Sequence, residues 1–431
     1  MKDCRTVSKS ILALAIPAII ANITTPLLAL VDTAIVGHLG NAVFIAAVAL
    51  GGSLFSLLYW PFGFLRMGTS GLTAQADGAG DHSRSAAVFY RALLSGLAVG
   101  LVLIMLQQPL GDALVDFLAG PTETANVART YFDILIYGAP ASLGIYAVNG
   151  WLIGRGNVKP ALWLSIAINL VNISASLVMV FALGLGVKGL AAGTLIAQWI
   201  GFGVGCLMVR KQHIARTSHK QIFDRREIKH FFSINTDIFF RTLCLVAVTV
   251  WFTRAGARQS DIILAVNSLL MQLFILFSYI MDGFAYAGEA LVGKAVGARD
   301  RAHERSVIKG LFAFGAALSL VFTIVYALGG DVILRWLCDE LSVIEASAEY
   351  RWWAVAVPFA GFGAFIWDGI YIGATRTRMM LIAMALSCVV FFCVWFGLSP
   401  WLGNHALWLA FILYLASRAL FQTLFYLGRR F

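Results

Sequence analysis

The chain is built around long apolar stretches that recur along almost its whole length. A helix that crosses a bilayer needs about 20 mainly apolar residues, and twelve stretches of this chain are long enough. Segments of alternating polarity, which are typical of an outer-membrane barrel, do not occur. We therefore predict an all-α integral membrane protein with twelve transmembrane helices. The apolar stretches cover approximately residues 11–36, 44–68, 86–108, 131–153, 161–183, 189–209, 231–253, 261–292, 307–328, 350–373, 379–398 and 405–427.

The composition agrees with a membrane protein and excludes a soluble enzyme. Hydrophobic residues make up 60% of the 431 positions and charged residues only 13%, whereas an ordinary soluble domain has roughly 25% charged residues. The six cysteines show no CxxC spacing, and no zinc-protease, nucleophile-elbow or phosphate-loop motif is present. We predict a protein that is not an enzyme and that has no metal site and no cofactor.

The positive charges lie between the apolar stretches. The formal net charge is +10, from 32 Lys and Arg against 22 Asp and Glu. With both termini in the cytoplasm, most of the Lys and Arg residues fall on the inner side, as the positive-inside rule requires. A nucleic-acid binder would gather them on one folded face with aromatic residues, so we expect no nucleic-acid partner.

The longest polar stretch divides the chain into halves. Residues 210–230 carry seven Lys and Arg residues and separate six apolar stretches from the next six. We interpret this stretch as a solvated cytoplasmic linker rather than a lipid-specific site. The predicted N-lobe is then 1–209, with the first six helices, and the predicted C-lobe is 231–431, with the last six.

The two halves also share an internal repeat. Gly150 and Gly154 recur as Gly369 and Gly373, at an offset of about 220 residues that other glycines and Tyr131 share. Because six helices separate equivalent points, the repeats have the same orientation in the membrane. Two six-helix lobes related by this repeat predict a transporter with its substrate between the lobes. The alternative is that the duplication was kept for stability alone.

One acid in the first predicted helix has polar neighbours at its own depth. Asp32, Ser176 and Thr194 lie at similar distances from the outer ends of their helices. Asn172 lies one turn deeper than Ser176 on the same face, and Asn169 lies further inward. Ionisable groups in hydrocarbon are functional candidates, so these residues predict an ion-coupling site. The alternatives are a protonated Asp32 and polar contacts that serve only helix packing.

Two prolines, Pro17 and Pro26, lie in the same helix as Asp32. A proline removes one backbone hydrogen bond and bends a helix. We predict a kink there, which makes the first helix a candidate moving part. Prolines also occur in membrane helices that do not move.

The second half has its own intramembrane charges, Asp237, Arg241, Asp282, Asp368 and Arg418. All lie in the inner halves of their predicted helices. Three acids and two bases can neutralise one another. We predict a charge network that closes or gates the cytoplasmic side, with direct substrate binding as the alternative.

Several stretches resemble the multidrug and toxic compound extrusion (MATE) family, in particular its DinF branch. The resemblance extends over nearly the whole chain and keeps the motifs in order. The motifs are PLLALVDTAIVGHL at 26–39, FLRMGTSGLTAQADGAG at 64–80, DGFAYAGEALVGKAVGARD at 282–300, IGATR at 372–376 and PWLGNHALWLA at 400–410.

The resemblance implies a two-lobed exporter of amphipathic, often organic cationic compounds in the bacterial inner membrane, driven by proton or sodium entry. It implies that Asp32 is the coupling residue and that Asn172, Ser176 and Thr194 form the network near it. The family pattern often has an aspartate where this chain has Ser176. Because one carboxylate is missing, we expect H⁺ rather than Na⁺ as the coupling ion. We also expect a protein that functions as a monomer.

Two other functions stay open. Related members of the superfamily are flippases for lipid-linked precursors, which predicts a more cationic cavity than these residues provide. A non-transporting membrane stress protein is the other alternative.

Overall fold

The computed structural model describes residues 2–118, 123–212 and 214–428. Within them the chain is helical and has no β-strand, which confirms the all-α prediction. Small parts of the predicted lobes and linker lie outside the described residues, namely Met1, 119–122, His213 and 429–431.

Sixteen α-helices follow one another in the described part of the chain. Segments of 3₁₀ or π geometry adjoin them at Trp60–Gly63, Ile136–Gly138 and Val178–Ala182. The helices are α1 (Lys2–Gly37), α2 (Ala42–Tyr59), α3 (Phe64–Gly78), α4 (His82–Met105), α5 (Gln107–Leu118), α6 (Glu123–Leu135), α7 (Ala139–Gly154), α8 (Val158–Leu177), α9 (Gly186–Lys211), α10 (His219–Ile222), α11 (Arg225–Ala257), α12 (Asp261–Gly297), α13 (Arg301–Leu337), α14 (Leu341–Gly373), α15 (Thr377–Leu402) and α16 (Asn404–Gly428).

Twelve helical segments among the described residues are long and apolar enough to cross a membrane, which confirms the predicted number. Two of them combine helices: Val43–Gly78 includes α2 and α3, and Glu123–Gly154 includes α6 and α7. A helix forms its backbone hydrogen bonds internally, which is necessary because hydrocarbon offers no partners for them. The short helices α5 and α10 are not among these segments.

The first helix contributes to two packing units. α1 continues through Pro17 and Pro26 without a break in its helical geometry. Contacts group residues 20–235 into one unit, and residues 1–19 with 236–431 into the other. Within the second unit, α1 passes so close to Gly283 that a Cβ there would collide with Ile19. The predicted lobe boundaries at 209 and 231 stay a prediction, since this grouping divides the first helix as well.

The predicted repeat appears as matching glycine contacts in the two units. In the first unit, Gly150 and Gly154 of α7 lie against the backbone of α3, at Arg66 and Ser70. In the second unit, the corresponding glycines of α14 lie against the backbone of α12 in the same way. These contacts pair Gly369 with Ala285 and Gly373 with Glu289. All four contacting positions keep the repeat's offset of about 220 residues, so the halves share one helix-packing pattern.

Small residues also allow α8 and α9 to approach each other closely. Four glycines on one face of α9 are spaced by four or eight residues, namely Gly189, Gly193, Gly201 and Gly205. A Cβ on Gly193 would lie 2.5 Å from the Ser176 Oγ and 2.6 Å from its backbone nitrogen. Small residues at such positions let membrane helices pack through their backbones. This contact fixes Ser176 against α9.

We expect Gly193→Ala to lower the melting temperature of the purified protein in detergent, because the new methyl group meets backbone atoms of α8. Gly203→Ala on the same helix is the matched control, since nothing lies within 4 Å of its added Cβ. The control is expected to melt at the wild-type temperature or slightly above it, because alanine favours helices over glycine. Equal melting temperatures for both variants would show that the α8–α9 contact does not limit stability.

Candidate functional site

Asp32 lies five residues before the end of α1. The following residues, Ile35 and Val36, are buried in an apolar cluster with Leu54 and Phe132, and this packing fixes the end of the helix. The Asp32 carboxyl group is only partly enclosed, but its Oδ1 atom is buried and has no hydrogen-bond partner among the described residues. A buried acceptor without a partner is unusual and calls for an explanation.

Tyr131 of α6 is an aromatic neighbour of this acid. Its ring is 5% exposed and lies close enough to both Asp32 and Thr194 to interact with them electrostatically. Gly51 of α2 makes room for the ring, because a Cβ at that position would lie 2.5 Å from the Tyr131 Cδ1. Tyr131 therefore neighbours both the acid on α1 and Thr194 on α9.

Asn172 and Thr194 contact each other directly. The Asn172 Nδ2 donates to the Thr194 Oγ1 at 3.0 Å, and that hydroxyl donates to the Leu190 carbonyl at 3.1 Å. The Asn172 Oδ1 and the Ser176 Oγ are buried without a hydrogen-bond partner in the described residues. The predicted polar group therefore lies on α8 and α9. Its two α8 residues, Asn172 and Ser176, are one helical turn apart.

Asn169 lies apart from this pair and faces the first helix. Its Nδ2 donates to the Thr24 carbonyl at 3.4 Å, and the Thr24 hydroxyl donates to the Ala21 carbonyl at 2.7 Å. Thr24 lies between Pro17 and Pro26. Asn169 therefore joins α8 to the part of α1 where proline weakens the backbone hydrogen bonding.

The unsatisfied atoms of this group are all oxygens. They belong to Asp32, Asn172 and Ser176. A proton on the carboxylate would give Asp32 a donor, and a bound cation would satisfy several oxygens at once. The arrangement is suited to reversible binding of a small positive ion.

The second unit holds a buried carboxylate that, unlike Asp32, has cationic partners among the described residues. Asp368 of α14 has a side chain that is 8% exposed, and its Oδ2 contacts Arg241 of α11 and accepts from the Arg418 Nη2 of α16 at 2.7 Å. Its Oδ1 accepts from the Gln422 Nε2 at 2.9 Å. Two cations and an amide thus satisfy one buried acid, as the predicted network requires for Asp368, Arg241 and Arg418.

The other two predicted members differ. Asp237 accepts from the Thr377 Oγ1 at 3.0 Å, and its other oxygen lies 3.6 Å from the Arg378 Nη1. It belongs to a separate pair at the start of α15, although it lies one turn from Arg241. Asp282 lies beside Tyr279 on α12. The described contacts join Arg241, Asp368 and Arg418, whereas helix packing turns Asp237 toward α15.

Sequence reasoning missed Tyr131 as a site residue and Gln422 as a ligand of Asp368. The sequence signal for this site consists of an ionisable group in a span and of amides and hydroxyls at the same depth. A tyrosine in an apolar run gives no such signal, because it resembles a packing residue. Tyr131 was visible only as a marker of the repeat. The Gln422 contact depends on the angle between α14 and α16, which sequence spacing does not reveal.

We expect Asp368→Asn to destabilise the protein strongly, because two buried guanidinium groups lose their carboxylate. Removing one partner from a buried ion pair typically costs about 3–5 kcal/mol. The matched control is Asp331→Asn, which breaks the exposed pair of Asp331 and Arg351, and exposed pairs contribute about 0–1 kcal/mol. Thermal melting in detergent measures both, and similar small shifts would mean that the Asp368 network adds little stability.

Curated relatives match almost the full length of the chain. DNA damage-inducible protein F of Escherichia coli (strain K12) is 37% identical over 415 residues, which cover 96% of this chain and 90% of the relative. The probable multidrug resistance protein NorM of Bradyrhizobium diazoefficiens is 27% identical over 426 residues, which cover 93% and 89% of the two chains.

Solved structures show the same fold at low sequence identity. The Vibrio cholerae MATE transporter VcmN in its bent form superposes with a TM-score of 0.87 at 18% identity, covering 99% of this chain and 98% of that one. A MOP superfamily transporter from Pyrococcus furiosus gives a TM-score of 0.85 at 19% identity, covering 97% and 95%. The two-lobed fold class is confirmed by these matches.

The family model described as MatE matches residues 17–178 and 238–395, one segment in each half of the repeat. These segments cover most of the chain and include Asp32, Asn172 and Asp368. The chain therefore belongs to the MatE family of multidrug efflux transporters, whose members are membrane transporters and not enzymes.

Proposed function

We propose that this protein is a secondary active exporter that exchanges an inward-moving cation for small amphipathic, often cationic compounds. The coupling ion is H⁺, and no cofactor takes part. The protein functions as a monomer in the bacterial inner membrane, with both termini in the cytoplasm, and it has no nucleic-acid partner. Its inward bias of Lys and Arg residues supports this orientation.

The observation that carries the proposal is the unsatisfied Asp32 carboxylate beside Tyr131. Asp368 in the other unit is neutralised by two arginines, whereas the ion pairs of the described residues do not include Asp32. Placing an unpaired charge in a low-dielectric site is costly. Protonation removes that cost, so Asp32 is the acid best placed to gain and lose a proton during transport.

The exchange follows from a difference in affinity between two conformations. A proton on Asp32 gives the carboxyl group a donor for neighbouring oxygens, and its release restores an acceptor only. If the outward-open state binds the proton more tightly and the substrate more weakly than the inward-open state does, proton entry drives export. Binding and conformation are then thermodynamically coupled in both directions.

The first helix connects the proton site to the conformational change. Asp32 and the two prolines lie on α1, and Asn169 of α8 contacts the Thr24 carbonyl between Pro17 and Pro26. A change in charge at the end of the helix alters its interaction with α6, and the weakened segment permits bending. The buried Asp368 network stays paired and supports closure on the cytoplasmic side.

Sodium is the second candidate, and one observation favours it. Besides Asp32, the buried oxygens of Asn172 and Ser176 have no hydrogen-bond partner among the described residues, and Na⁺ prefers several oxygen ligands. Only one of the three oxygens belongs to a carboxylate. The lack of a second negative charge leaves H⁺ as the better-supported ion.

We expect Asp32→Asn to abolish dye export driven by a pH gradient in proteoliposomes, because the amide keeps the shape but cannot change charge. The expected loss is at least tenfold at equal protein content. Asp116→Asn is the matched control, since Asp116 is exposed on α5, and it is expected to export at the wild-type rate.

Export by the Asp32→Asn protein at the wild-type rate would remove Asp32 from the mechanism. If the wild-type protein protects growing cells but moves no cationic dye under any imposed gradient, the stress-protein alternative is favoured instead. Melting temperatures of the purified variants establish that each one is folded.

A second experiment distinguishes the two ions. In sodium-free buffer, the wild-type protein is expected to export dye when a pH gradient is imposed. Ser176→Asp is expected to introduce sodium dependence by adding a second carboxylate, and Ser176→Asn is the neutral control of similar size. Wild-type export that requires sodium and ignores the pH gradient would show that Na⁺ is the coupling ion.

A further inference from the structure

Part of the predicted solvated linker is docked on α4. The Ser218 hydroxyl accepts from the Gln221 backbone N–H at 3.3 Å and begins the short helix α10. The Arg91 Nε donates to the Ile222 carbonyl at 2.7 Å, and its Nη2 contacts the Gln221 carbonyl. Arg91 is buried, so one guanidinium group of a transmembrane helix holds the end of α10.

Further polar contacts fix the same segment. The Arg84 Nη2 lies 3.2 Å from Glu227, and the Gln221 Nε2 donates to the Ser83 hydroxyl at 3.2 Å. Hydrogen bonds from the backbone N–H groups of Glu227 and Arg226 lower the pKa of Asp224, the residue directly before α11. Residues 218–227 of the predicted solvated linker are therefore held against α4 by specific contacts, although most of them are exposed.

Docking leaves a cavity between α4 and the linker. Its volume is about 720 Å³. Its lining residues include the apolar Leu93, Leu94 and Phe223, here called the apolar wall, and the polar Arg216, Thr217 and His219, here called the basic wall. Leu94 is 47% exposed and Phe223 is 59% exposed.

The position of this cavity matches the membrane boundary. Arg91 is the last charged residue before the uncharged run from Ala92 to Met105 in α4, so the hydrocarbon begins close to Leu93 and Leu94. The basic wall belongs to the linker, whose seven Lys and Arg residues favour an anionic surface. The apolar wall thus meets acyl chains where the basic wall meets headgroups.

We propose that this cavity binds one anionic phospholipid of the cytoplasmic leaflet. An acyl chain lies along Leu93, Leu94 and Phe223, and the lipid phosphate contacts Arg216 and His219. A free phosphate ion would leave the apolar wall in water, and a zwitterionic lipid would leave the basic wall without net compensation. A single anionic lipid satisfies both walls.

The test uses photo-cross-linking in phosphatidylcholine nanodiscs that contain the full-length protein. The probe is phosphatidylglycerol with a diazirine in one acyl chain, compared with the same probe built on phosphatidylcholine. Mass spectrometry is expected to locate the cross-link in the peptides that contain Leu93, Leu94 or Phe223. The anionic probe is expected to label them more than the zwitterionic one.

Arg216→Ser is expected to reduce labelling by the anionic probe about fivefold, since one basic residue near a membrane surface contributes about 1 kcal/mol. Lys220→Ser is the matched control, because Lys220 is exposed on α10 but does not line the cavity; its labelling is expected to stay at the wild-type level.

Three results would overturn the proposal. Equal labelling by both probes would mean that the cavity is an apolar crevice without headgroup selection. Equal reductions in Arg216→Ser and Lys220→Ser would indicate diffuse attraction to the positive linker. Loss of labelling on addition of inorganic phosphate would indicate a site for the phosphate group alone. None of these results depends on the coupling ion or on dye transport.

Discussion

The cost of placing polar groups in hydrocarbon governs this structure at every level. It requires helices in the spans, because only there does each segment satisfy its own backbone. It also requires a partner for nearly every buried polar side chain. Asp368 meets this requirement through Arg241, Arg418 and Gln422. Asp32 does not, and its buried oxygen has no partner among the described residues. This unpartnered oxygen is the observation on which the proposed ion coupling rests.

The repeat explains how the two kinds of site arose on one scaffold. Gly150 of α7 contacts the backbone of α3 in the same way that Gly369 of α14 contacts the backbone of α12, so helix packing was kept while the polar residues diverged. One unit carries an acid whose buried oxygen has no hydrogen-bond partner among the described residues, and the other carries an acid whose charge is compensated by two arginines.

The linker shows how much a polar sequence leaves undetermined. Its charge predicts the side of the membrane but not its contacts. Arg91, a charge near the end of an apolar run, binds the carbonyls of Gln221 and Ile222 in α10 and, with the contacts of Arg84 and Ser83, docks part of the linker. The cavity beside it results from this docking and not from any motif in the sequence.

The sequence by itself determined the twelve spans, the repeat, the family and the candidate residues of the ion site, because hydropathy and spacing report directly on the cost of entering hydrocarbon. Only the tertiary structure decided which polar groups meet. Asn172 contacts Thr194, Asn169 turns to Thr24, and Asp237 pairs with α15 rather than with Arg241. These outcomes depend on helix rotation and crossing angle, which close glycine contacts set and which periodicity in one chain does not encode.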